Sequence, residues 1–263
     1  MKPEILNHLP GTHPWQNLIH WYEAIDSTNT LAKRMIAQGA PHGTVIIADR
    51  QTQGRGRMGR SFQSPAGFGV YLSVILRYNC RPEALMHLTC AAAVAMCDAV
   101  EQAASLRPGI KWTNDLVHNG RKLGGILTEL VISETETAAI VGIGINCNQA
   151  SADFSPDIRD FAGSLSMATG NNILRPRLIA SMLRSLYDMD LHLFSCKDIL
   201  LECYREDCIT LGKEVSIVRG EEIRHGHALA VADDGGLVVK FSDGNTETVS
   251  SGEVSVRGMY GYV

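Results

Sequence analysis

The stretch "IKWTNDLVHNGRKLGGILTEL", residues 110–130, decides the fold class. Asn119-Gly120 at its centre is the pair most favoured in a type I′ hairpin, where both central residues need positive φ. The spacing therefore predicts two antiparallel strands, residues 111–117 and 122–130, joined at that turn. Upstream, "GFGVYLSVIL" alternates, so Val70, Leu72, Val74 and Leu76 share one face of another strand. "GTVIIAD" (43–49) and "AAIVGIGINCN" (138–148) read as further strands.

Helical segments lie between these strands. In "DSTNTLAKRMIAQG" (26–39), Asp26 or Ser27 can cap a helix, Leu31 and Met35 share a face, and Gly39 can end it. Pro82 opens an alanine-rich helix to about Ala104, and residues 175–208 read as two helices. Hairpins mixed with helices predict an α+β fold: a mixed β-sheet with flanking helices, gathered on one side. After "LGKEV" the texture changes to short strands broken by Gly, Asp and Asn turns, which predicts a small barrel. The expected boundary falls near Thr210, dividing the chain into residues 1–209 and 210–263.

The 263 residues carry a net charge of -4, so any nucleic-acid-like basic patch must be local. "MKPEILNHLPGTHP" has no apolar core and contains three prolines, unlike a signal peptide. No apolar run is expected to reach bilayer-spanning length. The seven cysteines are scattered without a CxxC pair. Reduced thiols in the cytoplasm, and no metal site, are the simplest account.

Three segments carry chemistry. "QTQGRGRMGR" (51–60) combines glycines, which let backbone approach a ligand, with arginines, whose forked donors match phosphate or carboxylate. It lacks the Gly-Lys-Ser/Thr ending of a P-loop. In "KWTND" (111–115), Lys111 and Trp112 are expected to alternate on a strand, with Asn114 and Asp115 at or past its end. A lysine there can stabilise developing negative charge. Glycines in "KLGGIL" and "GIGINCN" weaken their strands unless something needs the room, which suggests a ligand against the sheet.

Taken together, "DSTN" (26–29), "QTQGRGRMGR", "KWTNDL" (111–116), "KLGGILTE" (122–129), "GIGINCN" (142–148) and "SSGEVSVRG" (250–258) resemble, in order, the motifs of the biotin protein ligase family. The resemblance implies a mixed-sheet catalytic core followed by an SH3-like barrel. It implies activation of biotin with ATP, with Mg²⁺ carried on the nucleotide, to biotinyl-5′-adenylate, and transfer to a lysine of a biotin carboxyl carrier protein. It places Ser27, Thr28, Asn29, Gln51, Gly54, Arg55, Gly124 and Gly125 around biotin. It places Arg55, Arg57, Arg60, Lys111, Asn114, Asp115 and Asn146 around ATP or the adenylate, with Lys111 and Arg57 as the catalytic pair. Gln51 is expected to meet the ureido group, because an amide offers donor and acceptor together. Glu253 and Arg257 match positions that couple barrel and core.

The family usually has proline where this chain has Thr113. "DSTN" begins 25 residues into the sequence, too few for the winged helix of some bacterial members, so no DNA partner is expected. Neither is a membrane partner; pairing of sheets into a homodimer is open. The competing readings are a lipoate or octanoate ligase, which needs no ureido partner, and a polyanion-binding module, which calls for aromatic residues among the basic ones. Phe62 is the loop's one close aromatic.

Overall fold

Strand residues 69–78 form the spine of the molecule because both of their faces find apolar cover. The computed structural model describes residues 1–133 and 136–250, and the backbone of 255–258. In chain order these form α1 (Lys2–His8), β1 (Ile19–Ile25), α2 (Thr28–Ala37), β2 (Thr44–Gln51), β3 (Gly69–Tyr78), α3 (Leu88–Ala104), β4 (Gly109–Lys111), β5 (Asp115–His118), β6 (Arg121–Ile132) and β7 (Thr137–Asn146). There follow α4 (Leu165–Thr169), α5 (Arg175–His192), α6 (Lys197–Asp207), β8 (Glu214–Arg219), β9 (Glu222–Val231), β10 (Leu237–Phe241), β11 (Thr246–Val249) and β12 (Ser255–Gly258).

Among the described residues, seven strands make one sheet in the order β1-β2-β3-β7-β6-β5-β4. β1 and β2 run parallel across the α2 crossover; the other neighbours are antiparallel. Val45, Ile47, Val70, Leu72, Val74 and Leu76 point into the core shared with α3 and α5. Ile46, Ile75 and Ile140 point the other way, onto Ala32, Leu31 and Met35 of α2. The helices therefore do not gather on one side as expected: the Leu31–Met35 stripe draws α2 across the opposite face. Ser27 takes the N-cap position of α2 without a side-chain capping bond.

α3 is buried nearly all round, from Cys90 through Cys97, as expected of a helix apolar on every face. Its segment Pro82–Ala104 is long and apolar enough by length and composition to cross a membrane, contrary to the sequence expectation; 72% of that window is buried inside the protein. The predicted strand 111–117 is broken. β4 ends at Lys111, a turn with a cis Trp112–Thr113 peptide follows, and β5 begins at Asp115, paired back onto Lys111.

After α6, five strands among the described residues form an antiparallel sheet in the order β11-β10-β9-β8-β12. Its apolar residues Val215, Ala228, Val231, Leu237 and Val239 join the main core. Glu253 lies outside the described residues, and of Arg257 only the backbone is described, paired with Ser216.

Candidate active site

One register row across the sheet lays the floor of a cavity of about 670 Å³ on the α2 face. Gly144 pairs with Gly125, Gly125 with Asp115, and Asp115 with Lys111, and beyond the cavity the row continues from Gly144 to the buried Tyr71. Neighbours in such a row point the same way, so the two glycines keep the floor low between the aromatic end and the charged end.

One wall is built of amides and hydroxyls from the start of α2 and the end of β2. The Gln51 Oε1 accepts from the Thr28 backbone N–H at 2.8 Å and from its hydroxyl at 3.1 Å, and Gln51 Nε2 donates to Ser64 Oγ at 2.9 Å. Ser73 Oγ lies 2.6 Å from Asn29 Oδ1 and 2.7 Å from Thr28 Oγ1. Asn29 Nδ2 donates to Leu127 O and to Glu129 Oε2, at 3.1 and 2.9 Å. Gly142 is what admits Asn29: a Cβ there would stand 1.9 Å from Asn29 Oδ1.

The opposite wall is cationic. Lys111 is 8% exposed, inside the turn that ends β4. The arginine loop is not an open tether but a short hairpin of its own: Gly56 N–H donates to Arg60 O, Phe62 N–H to Gly54 O, and Arg55 bridges Ser61. It lays the Arg57 guanidinium over the sheet, where Nη1 donates to Asn114 Oδ1 at 2.9 Å. Burial lowers the pKa of Arg57 from its usual value, and the nearby Asp115 charge opposes that shift. Asn114 is fixed in turn, donating to Ile126 O and receiving the Ile126 N–H on its own carbonyl. It thus orients Arg57. Asp115 pairs with Lys122 Nζ at 2.5 Å. Arg55 pairs with Glu129 at 3.3 Å, beside Lys33 at 2.7 Å.

Of the residues expected at the site, Ser27, Thr28, Asn29, Gln51, Arg55, Arg57, Arg60, Lys111, Asn114, Asp115 and Gly125 all line this cavity. Gly54, Gly124 and Asn146 do not. Gly54 is set beneath the wall, where a Cβ would stand 2.3 Å from Phe62 O. A Cβ on Gly124 would stand 2.6 Å from Gly144 O on the neighbouring strand, so Gly124 gives room to backbone and not to a ligand. Asn146 donates to Gly163 O and accepts from Gln149, at the end of β7. The strand glycines 142 and 144 make room for the protein's own Asn29 and Phe62. Trp112 and Lys111 both border the cavity, but the Trp112 side chain turns into the core, where its indole N–H donates to Gly235 O. Lys122, Phe62 and Phe161, which also line it, were not singled out by their spacing. The two glycines facing Lys122 and Phe62 are the signal that could have found them.

The Biotin/lipoate A/B protein ligase family matches residues 21–146, and the Biotin protein ligase C terminal domain matches residues 210–257. The chain is 37% identical over 234 residues to the bifunctional ligase/repressor BirA of Bacillus subtilis strain 168, covering 87% of this chain and 71% of that one. It is 32% identical to the biotin–[acetyl-CoA-carboxylase] ligase of Mycobacterium tuberculosis, covering 87% and 85%. Its fold is similar to that of the Aquifex aeolicus biotin protein ligase in complex with biotin and ATP, with a TM-score of 0.77, 29% identity, and 91% and 98% of the two chains covered. Relatives at this identity, aligned over most of their own length, establish that the chain belongs to the biotin/lipoate protein ligase family.

Proposed function

We propose that the chain is a biotin protein ligase. It joins biotin to ATP as biotinyl-5′-adenylate, releasing pyrophosphate, and passes biotin to a lysine of a biotin carboxyl carrier protein, releasing AMP. The observation that carries this reading is a single cavity with a neutral amide-and-hydroxyl wall facing a wall that holds Lys111 and Arg57. A ureido ring suits the first wall and a carboxylate meeting a phosphate suits the second.

In the first step a biotin carboxylate oxygen attacks the α-phosphorus and the bond to pyrophosphate breaks. Two anions must meet, so the protein's work is positioning and charge neutralisation. Lys111, inside its turn, and Arg57, held by Asn114, supply fixed positive charge there. Mg²⁺ arrives bound to the ATP phosphates. In the second step the acceptor amine attacks the acyl carbon, the bond to AMP breaks, and Lys111 stabilises the oxyanion between. The arginine loop covers the mixed anhydride and keeps water from it. Residues 210–263 serve as a second domain following the catalytic residues 1–209. The unpaired thiols suit work in the cytoplasm.

A lipoate ligase reading is less well supported, because an aliphatic acid offers no partner to the Gln51 N–H that Ser64 does not take. The test is transfer. With ATP, Mg²⁺ and biotin, the protein is expected to biotinylate a carrier acceptor domain at one lysine, read by streptavidin blot and intact mass. An acceptor whose target lysine is replaced by arginine should stay unlabelled; equal labelling of that variant would contradict the reading.

A further inference from the structure

Glu129 sits at the end of the "GGILTE" stretch, and the mechanism above gives it no task. Its carboxylate is 17% exposed and collects three donors from two separate elements. Asn29 Nδ2 and Lys33 Nζ come from α2, at 2.9 and 2.7 Å, and Arg55 Nη1 comes from the arginine loop at 3.3 Å. Burial pushes the Glu129 carboxyl up, but the hydrogen bonds of Lys33 and Asn29 outweigh it and leave it below its ordinary value.

The Asn29 end of this network is rigid. Its amide is held by Ser73, Leu127 O and the hydrogen-only face of Gly142. Glu129 is therefore presented to the loop in one orientation. The Arg55 end is not packed solid. A second cavity of about 260 Å³, lined by Arg55, Arg57, Thr113, Thr128 and Glu129, lies against the loop. Polar contacts, Arg55 on Glu129 and Arg57 on Asn114, hold the loop to the sheet where packing does not.

We propose that Glu129 is a positioning residue that latches the arginine loop to the amide wall, so that loop closure and retention of the acyl-adenylate depend on the Arg55–Glu129 pair. The inference rests on the biotin ligase reading. Asn29 contributes the fixed end of the latch and Arg55 the movable end, while Lys33 balances the second half of the carboxylate charge.

The test measures escape of biotinyl-adenylate from enzyme loaded with biotin, ATP and Mg²⁺, as adenylate passing a size-exclusion filter against adenylate retained. The wild type, Glu129→Gln, Glu129→Asp, Arg55→Gln and the Glu129→Gln/Arg55→Gln double variant are compared, with Lys33→Gln as control. Glu129→Gln is expected to release adenylate about tenfold faster than wild type, the double variant no faster than Arg55→Gln alone, and Lys33→Gln within about twofold of wild type, since partners of one contact are non-additive. Glu129→Asp, which keeps the charge, should recover part of the retention. If Glu129→Gln lowers the melting temperature, Glu129→Asp with and without Arg55→Gln is scored by the same non-additivity. Wild-type retention in Glu129→Gln, or losses that multiply in the double variant, overturn the latch alone. A wild type that forms no adenylate overturns the ligase reading and the latch with it.

Discussion

Gln51 has its side-chain amide held on both sides by protein groups, Thr28 on the oxygen and Ser64 on the nitrogen. Its residue type points to recognition of an amide-like ring, but only the fold shows that one N–H is what it has left to offer. The same limit applies to Asn114, whose partner Arg57 is 57 residues away and invisible to local spacing. That Lys111 and Arg57 belong to one site was legible, because charged residues beside glycines and strand ends narrow the possible chemistry, and both line the cavity. Replacing Lys111 with alanine should slow adenylate formation by about 10²–10³-fold with folding kept, as loss of one preorganised donor to a developing anion does; rapid-quench measurement of the single turnover checks this. Arg57→Gly should lose intermediate to solvent and label bystander lysines, seen by peptide mass spectrometry of a mixture with an unrelated protein. Gly142→Ala puts a methyl group where Asn29 Oδ1 sits. It should cost about 1–3 kcal/mol in denaturant unfolding, as overpacking does, and weaken biotin binding in calorimetry.

At the scale of elements, strands with a clean period of two were readable: β3 buries Val70, Leu72, Val74 and Leu76 together. The break after Lys111 was not, because distant residues make the turn. Trp112 N–H donates to Thr210 Oγ1, and Tyr204 OH to Thr113 O. β1 also went unread; a half-buried edge strand lacks a strong pattern. Far from the site, His42 ties the start of β2 and the end of β3 to α5. Its Nδ1 receives the Arg77 N–H at 3.0 Å, and its Nε2 meets Asp190 at 2.8 Å, whose other oxygen accepts from Tyr78 OH. The hydrogen bond to Asp190 raises the His42 pKa, with burial opposing. A raised histidine gives stability that is full below the unfolded-state pKa of about 6.5 and is lost as pH rises through the higher folded value. Nearby His13 is shifted the other way by burial, so the difference between variants isolates the pair. Thermal melts should show the gap between wild type and His42→Gln narrowing from pH 6 to pH 8.5; a gap independent of pH would contradict this.

At the scale of the whole molecule, the C-terminal sheet reaches the chemistry through the turn between β9 and β10. The Trp112 indole N–H donates to Gly235 O at 2.9 Å, and Arg205 Nε donates to Val231 O at 2.9 Å. Gly235 has φ +83° and a Cβ there would lie 2.9 Å from Cys90 Sγ, so this turn fits closely against α3. The Lys111 turn is thus clamped from both parts of the chain, a relation that the change of texture near Thr210 does not disclose. Trp112→Phe keeps an aromatic ring but removes the indole donor and part of the buried volume. It should cost about 2–4 kcal/mol of stability, a buried hydrogen bond plus a cavity, and lower turnover more than it raises KM for biotin, in steady-state assays of pyrophosphate release.

In the proposed reading one cavity selects a ureido-bearing acid and joins its carboxylate to the α-phosphate of ATP. The most direct measurement supplies the purified protein with ATP, Mg²⁺ and, in separate reactions, biotin, lipoate or octanoate, and follows pyrophosphate release and adenylate mass. Biotinyl-adenylate is expected with biotin and no adenylate with the other two acids. Lipoyl- or octanoyl-adenylate, or none with any acid, would contradict that reading.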